Sequence, residues 1–175
     1  AFETLTTGSL TAPQEFDAWF GEARASAIKN DSRATEAALL EASKQGPVPR
    51  RVEALLERAT LLESRSARED ASQTFEAILE LAPRHAKATE GLIRNLRTLQ
   101  NWEGLAEVLA SEAARHPKEK AIGLYTELAT LYLDTLKQAG PGEAALRRLV
   151  TLDTGNVSAR TRLADMLARR GEIPE

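Results

Sequence analysis

The chain has 175 residues and no cysteine, which excludes disulfides, thiolate metal sites and a cysteine nucleophile. Its formal net charge of -3 disfavours nucleic acid as a partner, because phosphate binding depends on a concentrated excess of Lys and Arg. No apolar run approaches the ~20 residues of a membrane span, and residues 1–10 lack the charged and apolar regions of a signal peptide. The compartment stays unknown, since a chain without cysteine suits the cytoplasm and the periplasm alike.

Helix-forming residues dominate the sequence, whereas β-branched residues are few and rarely alternate as a strand requires. Aromatic residues make up only 5% of the chain, so Leu, Ala, Ile and Val must build the core. An all-α fold of thin, stacked helix layers is therefore predicted.

Residues 1–12 are rich in Thr and Gly and are predicted to form a tail or linker. Thr11 with Pro13 is a typical helix start, so a first helix is expected over residues 14–28. Phe16, Trp19 and Phe20 crowd this helix. We interpret them as its packing face and not as a partner-binding patch, because Phe16 and Phe20 are i, i+4 neighbours.

Three prolines, Pro49, Pro83 and Pro117, stand 34 residues apart. Proline lacks a backbone donor and biases its predecessor away from helix, so a proline at a fixed phase separates successive helical hairpins. The spacing predicts repeats over residues 52–85 and 86–119.

A third hairpin is predicted over residues 120–156, with Gly140, Pro141 and Gly142 as its turn. Sequence similarity at an offset of 70 residues becomes an offset of 71 further along, which indicates a one-residue insertion near residues 138–141. A lone helix over residues 157–171 ends at Gly171. Because the chain lacks an initiating Met and ends after a single helix, we expect a piece of a longer array.

These units resemble the tetratricopeptide repeat, a helix-turn-helix of 34 residues. The residues that carry the resemblance are Ala59, Ala71, Phe75, Leu81 and Pro83, then Leu92, Leu96, Trp102 and Pro117, then Leu128, Ala129 and Tyr132. The segment before these units, residues 13–51, fits the tetratricopeptide repeat only weakly, and the resemblance implies that it is an irregular capping hairpin. The resemblance implies a single domain over residues 13–175, built as a right-handed superhelix of antiparallel helical hairpins. It also implies a concave surface, lined by the first helix of each unit, that binds proteins.

The sequence offers no convincing active site. His85 and His116 have no second His or Cys at i+3 or i+4, so we interpret both as solvent-exposed residues at junctions between repeats. The pair Glu53 and Glu57 is interpreted as part of a solvated helix face. No catalytic, metal or cofactor site is assigned, and the chain is predicted not to be an enzyme.

The resemblance places one set of side chains on the concave surface as candidate partner-binding residues. They are Lys87, Glu90, Arg94, Arg97, Thr130, Asp165 and Arg169. The middle unit is the most basic part of this surface, so an acidic segment of a partner is expected to bind there. The alternative is that Arg94 and Arg97 are ordinary solvated helix charges.

The sequence therefore predicts a protein-interaction scaffold that binds a peptide or helix of a partner protein. One alternative is a regulatory or dimerising arm of an enzyme whose catalytic domain lies outside this chain. A second is a helical-repeat RNA binder, which the acidic charge balance disfavours. A third is self-association through the apolar face of the last helix, at Leu163 and Leu167. No cofactor and no membrane insertion are expected.

Overall fold

The structure is a computed structural model that describes residues 11–169 and 171. These residues form nine α-helices and one π-helical segment, and none of them lies in a strand. The helices are α1 (Ala12–Ile28), α2 (Ser32–Ala42), α3 (Val48–Ser64), α4 (Arg68–Leu81), α5 (Ala86–Thr98), α6 (Trp102–Arg115), α7 (Lys118–Thr130), α8 (Ala139–Leu152) and α9 (Val157–Arg169), with the π-helical segment at Leu131–Thr135. The predicted all-α class is confirmed.

The chain divides into two compact units, Ala1–Asn95 and Leu96–Glu175. In the first unit, α1 packs against α2, α2 against α3 and α3 against α4. In the second unit, α6 packs against α7, α7 against α8 and α8 against α9. Within each unit, these helices thus pack on their neighbours in sequence, as in stacked helical hairpins.

Helix α1 begins at Ala12, two residues earlier than predicted, because Pro13 fits the first turn of a helix and the Thr11 N–H donates to Gln14 Oε1 (2.9 Å). Residue 12 is therefore helical and not part of a tail. The remainder of the predicted tail, residues 1–10, lies outside the described residues. Phe16 and Phe20 are buried, as predicted, but Trp19 is 42% exposed, so its assignment to the packing face is wrong.

The three periodic prolines lie at the junctions between hairpins, as predicted. Pro49 lies in the first turn of α3, Pro83 lies between α4 and α5, and Pro117 directly precedes α7. None of these positions requires the backbone donor that proline lacks. The periodicity of the prolines thus marks where one hairpin ends and the next begins.

A residue with positive φ lies in the turn inside each hairpin, and none of the four is glycine. They are Asn30, Ser66, Gln100 and Lys137, with φ between 55° and 61°. At the first three turns, the N–H of the next residue donates to the carbonyl five residues earlier, at 2.9 to 3.0 Å. This bond closes the helix end in the manner of a Schellman motif. Non-glycine residues adopt the left-handed conformation at these turns, although glycine adopts it most readily.

The predicted insertion lies in a helix and not in a turn. At the fourth hairpin, the Gln138 N–H donates to the Tyr132 carbonyl, six residues earlier, at 2.8 Å. The extra residue is accommodated by the π-helical segment Leu131–Thr135, in which i→i+5 bonds hold one more residue per turn.

The predicted turn at Gly140, Pro141 and Gly142 is also wrong, because all three residues lie in the first turn of α8. Pro141 is tolerated there since the first N–H groups of a helix have no partner within it. Gly142 is buried, and a Cβ at this position would lie 2.3 Å from Leu133 Cδ2. Gly142 thus permits close packing between α8 and the π-helical segment.

Candidate functional site

A cleft in the first unit lies between α3 and α5, with α4 at its floor. Its volume is about 590 Å³. It is lined by Leu56, Glu57, Thr60, Leu61 and Glu63 of α3, Phe75 of α4, and Lys87, Glu90 and Arg94 of α5. Of the seven predicted partner-binding residues, the structure brings Lys87, Glu90 and Arg94 together here.

Leu61, Phe75 and Glu57 belong to the cleft but were not predicted as binding residues. Phe75 was expected only in the core, and it is indeed 5% exposed, with its ring beneath the cleft. The close approach of α5 to this ring depends on Gly91, where a Cβ would lie 2.4 Å from Phe75 Cζ. A glycine on the buried side of a helix was the one signal in the sequence for such an approach.

The cleft is less basic than the sequence indicates. Arg94 Nη2 donates to both carboxylate oxygens of Glu63, at 2.7 and 2.8 Å. The two side chains lie on different helices, α3 and α5, so the distance between them could not be judged from the pattern of either helix. The expected excess of positive charge is therefore wrong in the first unit, since the lining holds three carboxylates and two cations.

The other predicted binding residues lie in the second unit. Arg97 donates to Glu127 Oε1 at 2.6 Å, which again pairs a predicted basic residue with a carboxylate of the protein. Asp165 and Arg169 line a cleft of about 450 Å³, beside the ion pair of Arg162 and Asp134. The Thr130 hydroxyl donates to the Thr126 carbonyl of its own helix.

These arginine–carboxylate pairs recur along the chain. They join α3 to α5, α5 to α7, and the π-helical segment after α7 to α9, and the paired residues are 31, 30 and 28 positions apart. Exposed pairs of this kind contribute only about 0.2–1 kcal/mol each. They position the arginines more than they stabilise the fold, and an incoming carboxylate can exchange with the internal one at little cost.

The pKa of the Glu57 carboxyl, in the wall of the cleft, is shifted from its ordinary value. Burial raises the pKa of its carboxyl above the ordinary value of 4.5; Arg24 acts in the opposite direction, and Glu53 adds to the rise. The ionised carboxylate therefore gains less from its surroundings in the folded protein than it gains from water. The interpretation of Glu57 as a solvated charge agrees with its exposed side chain, although partial burial removes some of the water around its carboxylate.

The raised pKa of Glu57 predicts a pH-dependent change in stability on replacement by Gln. Folding favours the protonated carboxyl, so this group costs stability as pH rises above 4.5 and costs nothing below that value. We expect Glu57→Gln to be slightly more stable than the wild type at about pH 7, with the difference disappearing at about pH 4. Urea unfolding at both pH values measures this, and an equal difference at both would contradict it.

The two histidines have structural roles and are half-buried, so their assignment as solvent-exposed residues is wrong. His85 Nδ1 accepts a hydrogen bond from the Ala88 N–H (3.3 Å) and so caps α5. His116 Nε2 lies 2.9 Å from Glu112 Oε2. In the part of the chain that the structure describes, no three metal-ligating side chains cluster, and no helix is long and apolar enough to cross a membrane.

A further cleft, of about 610 Å³, lies on α8 and α9 in the second unit. Its lining is mostly apolar and consists of Val150, Val157, Arg160, Thr161, Leu163, Ala164 and Leu167. Val157 is 72% exposed, which is high for a large apolar side chain. The apolar face predicted at Leu163 and Leu167 is thus part of an open surface.

Solved structures of tetratricopeptide proteins resemble this one. A tetratricopeptide repeat protein from Parabacteroides merdae ATCC 43184 is 16% identical, with a TM-score of 0.51, over 90% of this chain and 61% of that protein. A crystal structure of MamA is 16% identical, with a TM-score of 0.50, over 91% of this chain and 85% of MamA. A segment of MamA from Desulfovibrio magneticus RS-1 is 19% identical, with a TM-score of 0.48, over 90% and 86%.

No protein-family model matches the sequence, and no curated protein matches it. The hairpins and the structural likeness together define the class: the chain has a tetratricopeptide-like helical-repeat fold, as the resemblance in sequence predicted.

Proposed function

We propose that this protein is an interaction scaffold and that the cleft between α3 and α5 binds a peptide or helix of a partner protein. The observation that carries the proposal is the lining of the cleft, which combines an apolar floor with charged rims. Leu56, Leu61 and Phe75 offer apolar area to an anchor residue, and Lys87 offers an ammonium group to a carboxylate. An acidic group of the partner is thus placed at Lys87.

Arg94 and Arg97 remain candidate contacts, because their exposed pairs with Glu63 and Glu127 are weak enough for a partner's carboxylate to replace. Asp165 and Arg169 are proposed as contacts in the second unit, in the cleft that they line, and Thr130 as an exposed contact on α7. The alternative of a regulatory arm of an enzyme uses the same surfaces and places catalysis outside this chain.

Filling the cleft tests the proposal. Thr60 is exposed on the cleft wall, and its hydroxyl donates only to the Leu56 carbonyl of its own helix (2.9 Å). We expect Thr60→Trp to lose the partners that the wild-type chain retains in affinity capture from cell lysate, because the indole occupies the space of the anchor residue. Mass spectrometry of the captured proteins measures this.

The matched control is Thr151→Trp, since Thr151 is exposed on α8 and its hydroxyl makes the same bond to the Arg147 carbonyl (2.8 Å). A second pair of variants tests the role of charge separately. Lys87→Glu is expected to weaken the capture of partners, whereas its control Lys120→Glu, on α7, is expected to leave capture unchanged. If Thr60→Trp and Lys87→Glu retain the same partners as the wild type, the cleft is not the binding site.

We also propose that the chain self-associates through the apolar cleft on α8 and α9. The proposed occupant is a second copy of the chain related by a two-fold axis, because one isologous contact would bury the apolar faces of both copies. We expect the mass from light scattering to rise with protein concentration and Val157→Glu to abolish the rise. Val48→Glu, at a valine that is 43% exposed in the first unit, is the control. A constant mass for the wild type would refute this second proposal.

A further inference from the structure

The cleft in the first unit has more carboxylates than cations available to a ligand. Glu63 and Arg94 are bound to each other, which leaves Glu57 and Glu90 against Lys87. None of the ion pairs among the described residues includes Glu57, Glu90 or Lys87. A partner that brings only carboxylates would satisfy Lys87, but it would leave Glu90 without a counter-ion and Glu57 with only the partial compensation that Arg24 provides.

Binding of a partner segment would increase the desolvation free energy of the Glu57 and Glu90 carboxylates. In the free protein, Glu57 and Glu90 are exposed and water solvates their charges. A segment packed on Leu56, Leu61 and Phe75 would displace that water, and a desolvated carboxylate is costly unless a cation or hydrogen-bond donor replaces the solvent. Glu57 already experiences part of this cost, because burial raises the pKa of its carboxyl.

We propose that the segment bound in this cleft carries an Arg or Lys side chain beside its apolar anchor, and that this cation binds Glu57 and Glu90. The inference rests on the proposed function of the cleft and adds a second charge to the partner, opposite in sign to the one at Lys87. Arg suits the role better than Lys, because its planar guanidinium can donate to two carboxylates at once. The partner segment is therefore of mixed charge and not simply acidic.

Peptide selection on the intact chain tests whether the bound segment carries a basic residue beside its apolar anchor. Random peptides of about a dozen residues, displayed on phage, are selected on the wild type, on Glu57→Gln/Glu90→Gln and on Thr60→Trp. We expect the wild type to enrich peptides with Arg or Lys next to an apolar residue. A selected peptide should bind the double variant about tenfold more weakly in fluorescence anisotropy, which corresponds to ~1.4 kcal/mol. The amide variant keeps the shape of both side chains, and circular dichroism verifies its fold.

The possible results separate this inference from the proposed function. If Thr60→Trp loses the selected peptides but these lack basic residues, or if the double variant binds them as well as the wild type, the mixed-charge inference is overturned and the cleft remains a binding site. If no peptide is enriched, or if Thr60→Trp selects the same peptides, both the inference and the proposed site are overturned. Loss of basic residues from the set selected on the double variant supports the inference.

Discussion

Replacing Phe16 by Ala is expected to destabilise the first unit by about 3–5 kcal/mol. Phe16 is fully buried, and its ring centroid lies 5.0 Å from that of Phe20. The Arg50 guanidinium lies 4.7 Å from the Phe16 ring centroid, and Arg50 also pairs with Asp17. Truncation removes the ring from a cluster shared by α1, α2 and α3, and the surrounding helices cannot collapse fully into the space.

Trp19→Ala is the matched control for Phe16→Ala. Trp19 is three residues along the same helix and is larger than Phe16, but it is 42% exposed. We expect its truncation to cost less than about 1 kcal/mol. Urea unfolding followed by circular dichroism compares the two variants. If both variants lost the same free energy of unfolding, the packing of α1 in the structure, with Phe16 buried and Trp19 exposed, would be contradicted.

Replacing Gly91 by Val is expected to destabilise the first unit by about 2–3 kcal/mol, although glycine is a poor helix former. A Cβ at this position would lie 2.4 to 2.8 Å from three atoms of the Phe75 ring. The ring is buried, so either it or α5 must move. The same displacement would alter the floor of the cleft, so peptide binding should weaken together with stability.

Gly123→Val provides the control for Gly91→Val, because Gly123 lies inside α7 and a Cβ there would meet nothing within 4 Å. The gain in helix propensity should make this variant as stable as the wild type or slightly more stable, by less than about 0.5 kcal/mol. Urea midpoints of both variants measure the contrast. A Gly91→Val protein as stable as Gly123→Val would contradict the close packing of α5 on Phe75.

The concave residues were only partly predictable. The resemblance to the tetratricopeptide repeat placed Lys87, Glu90 and Arg94 on the concave face of α5, and the cleft contains all three. Periodicity describes each helix alone, so it could not show that Glu63 and Arg94 lie within hydrogen-bond distance of each other. The basic groove expected from the sequence is for this reason a surface of mixed charge.

The sequence by itself determined the class of the fold, the division into hairpins and most of the buried face of each helix. These properties follow from local rules: the 34-residue spacing of prolines, the recurrence of Ala and Leu at helical intervals, and the lack of strand patterns. Phe16, Ala59 and Phe75 are buried for that reason.

Only the tertiary structure decided the features that depend on two segments at once. The partner of Arg94, the raised pKa of Glu57 and the contact of Gly91 with Phe75 each arise from residues on different helices. The π-helical segment, too, appears only in the structure, where Leu133 of this segment packs close to Gly142 of α8. Local patterns specify helices, whereas the charge and depth of the cleft follow from how those helices meet.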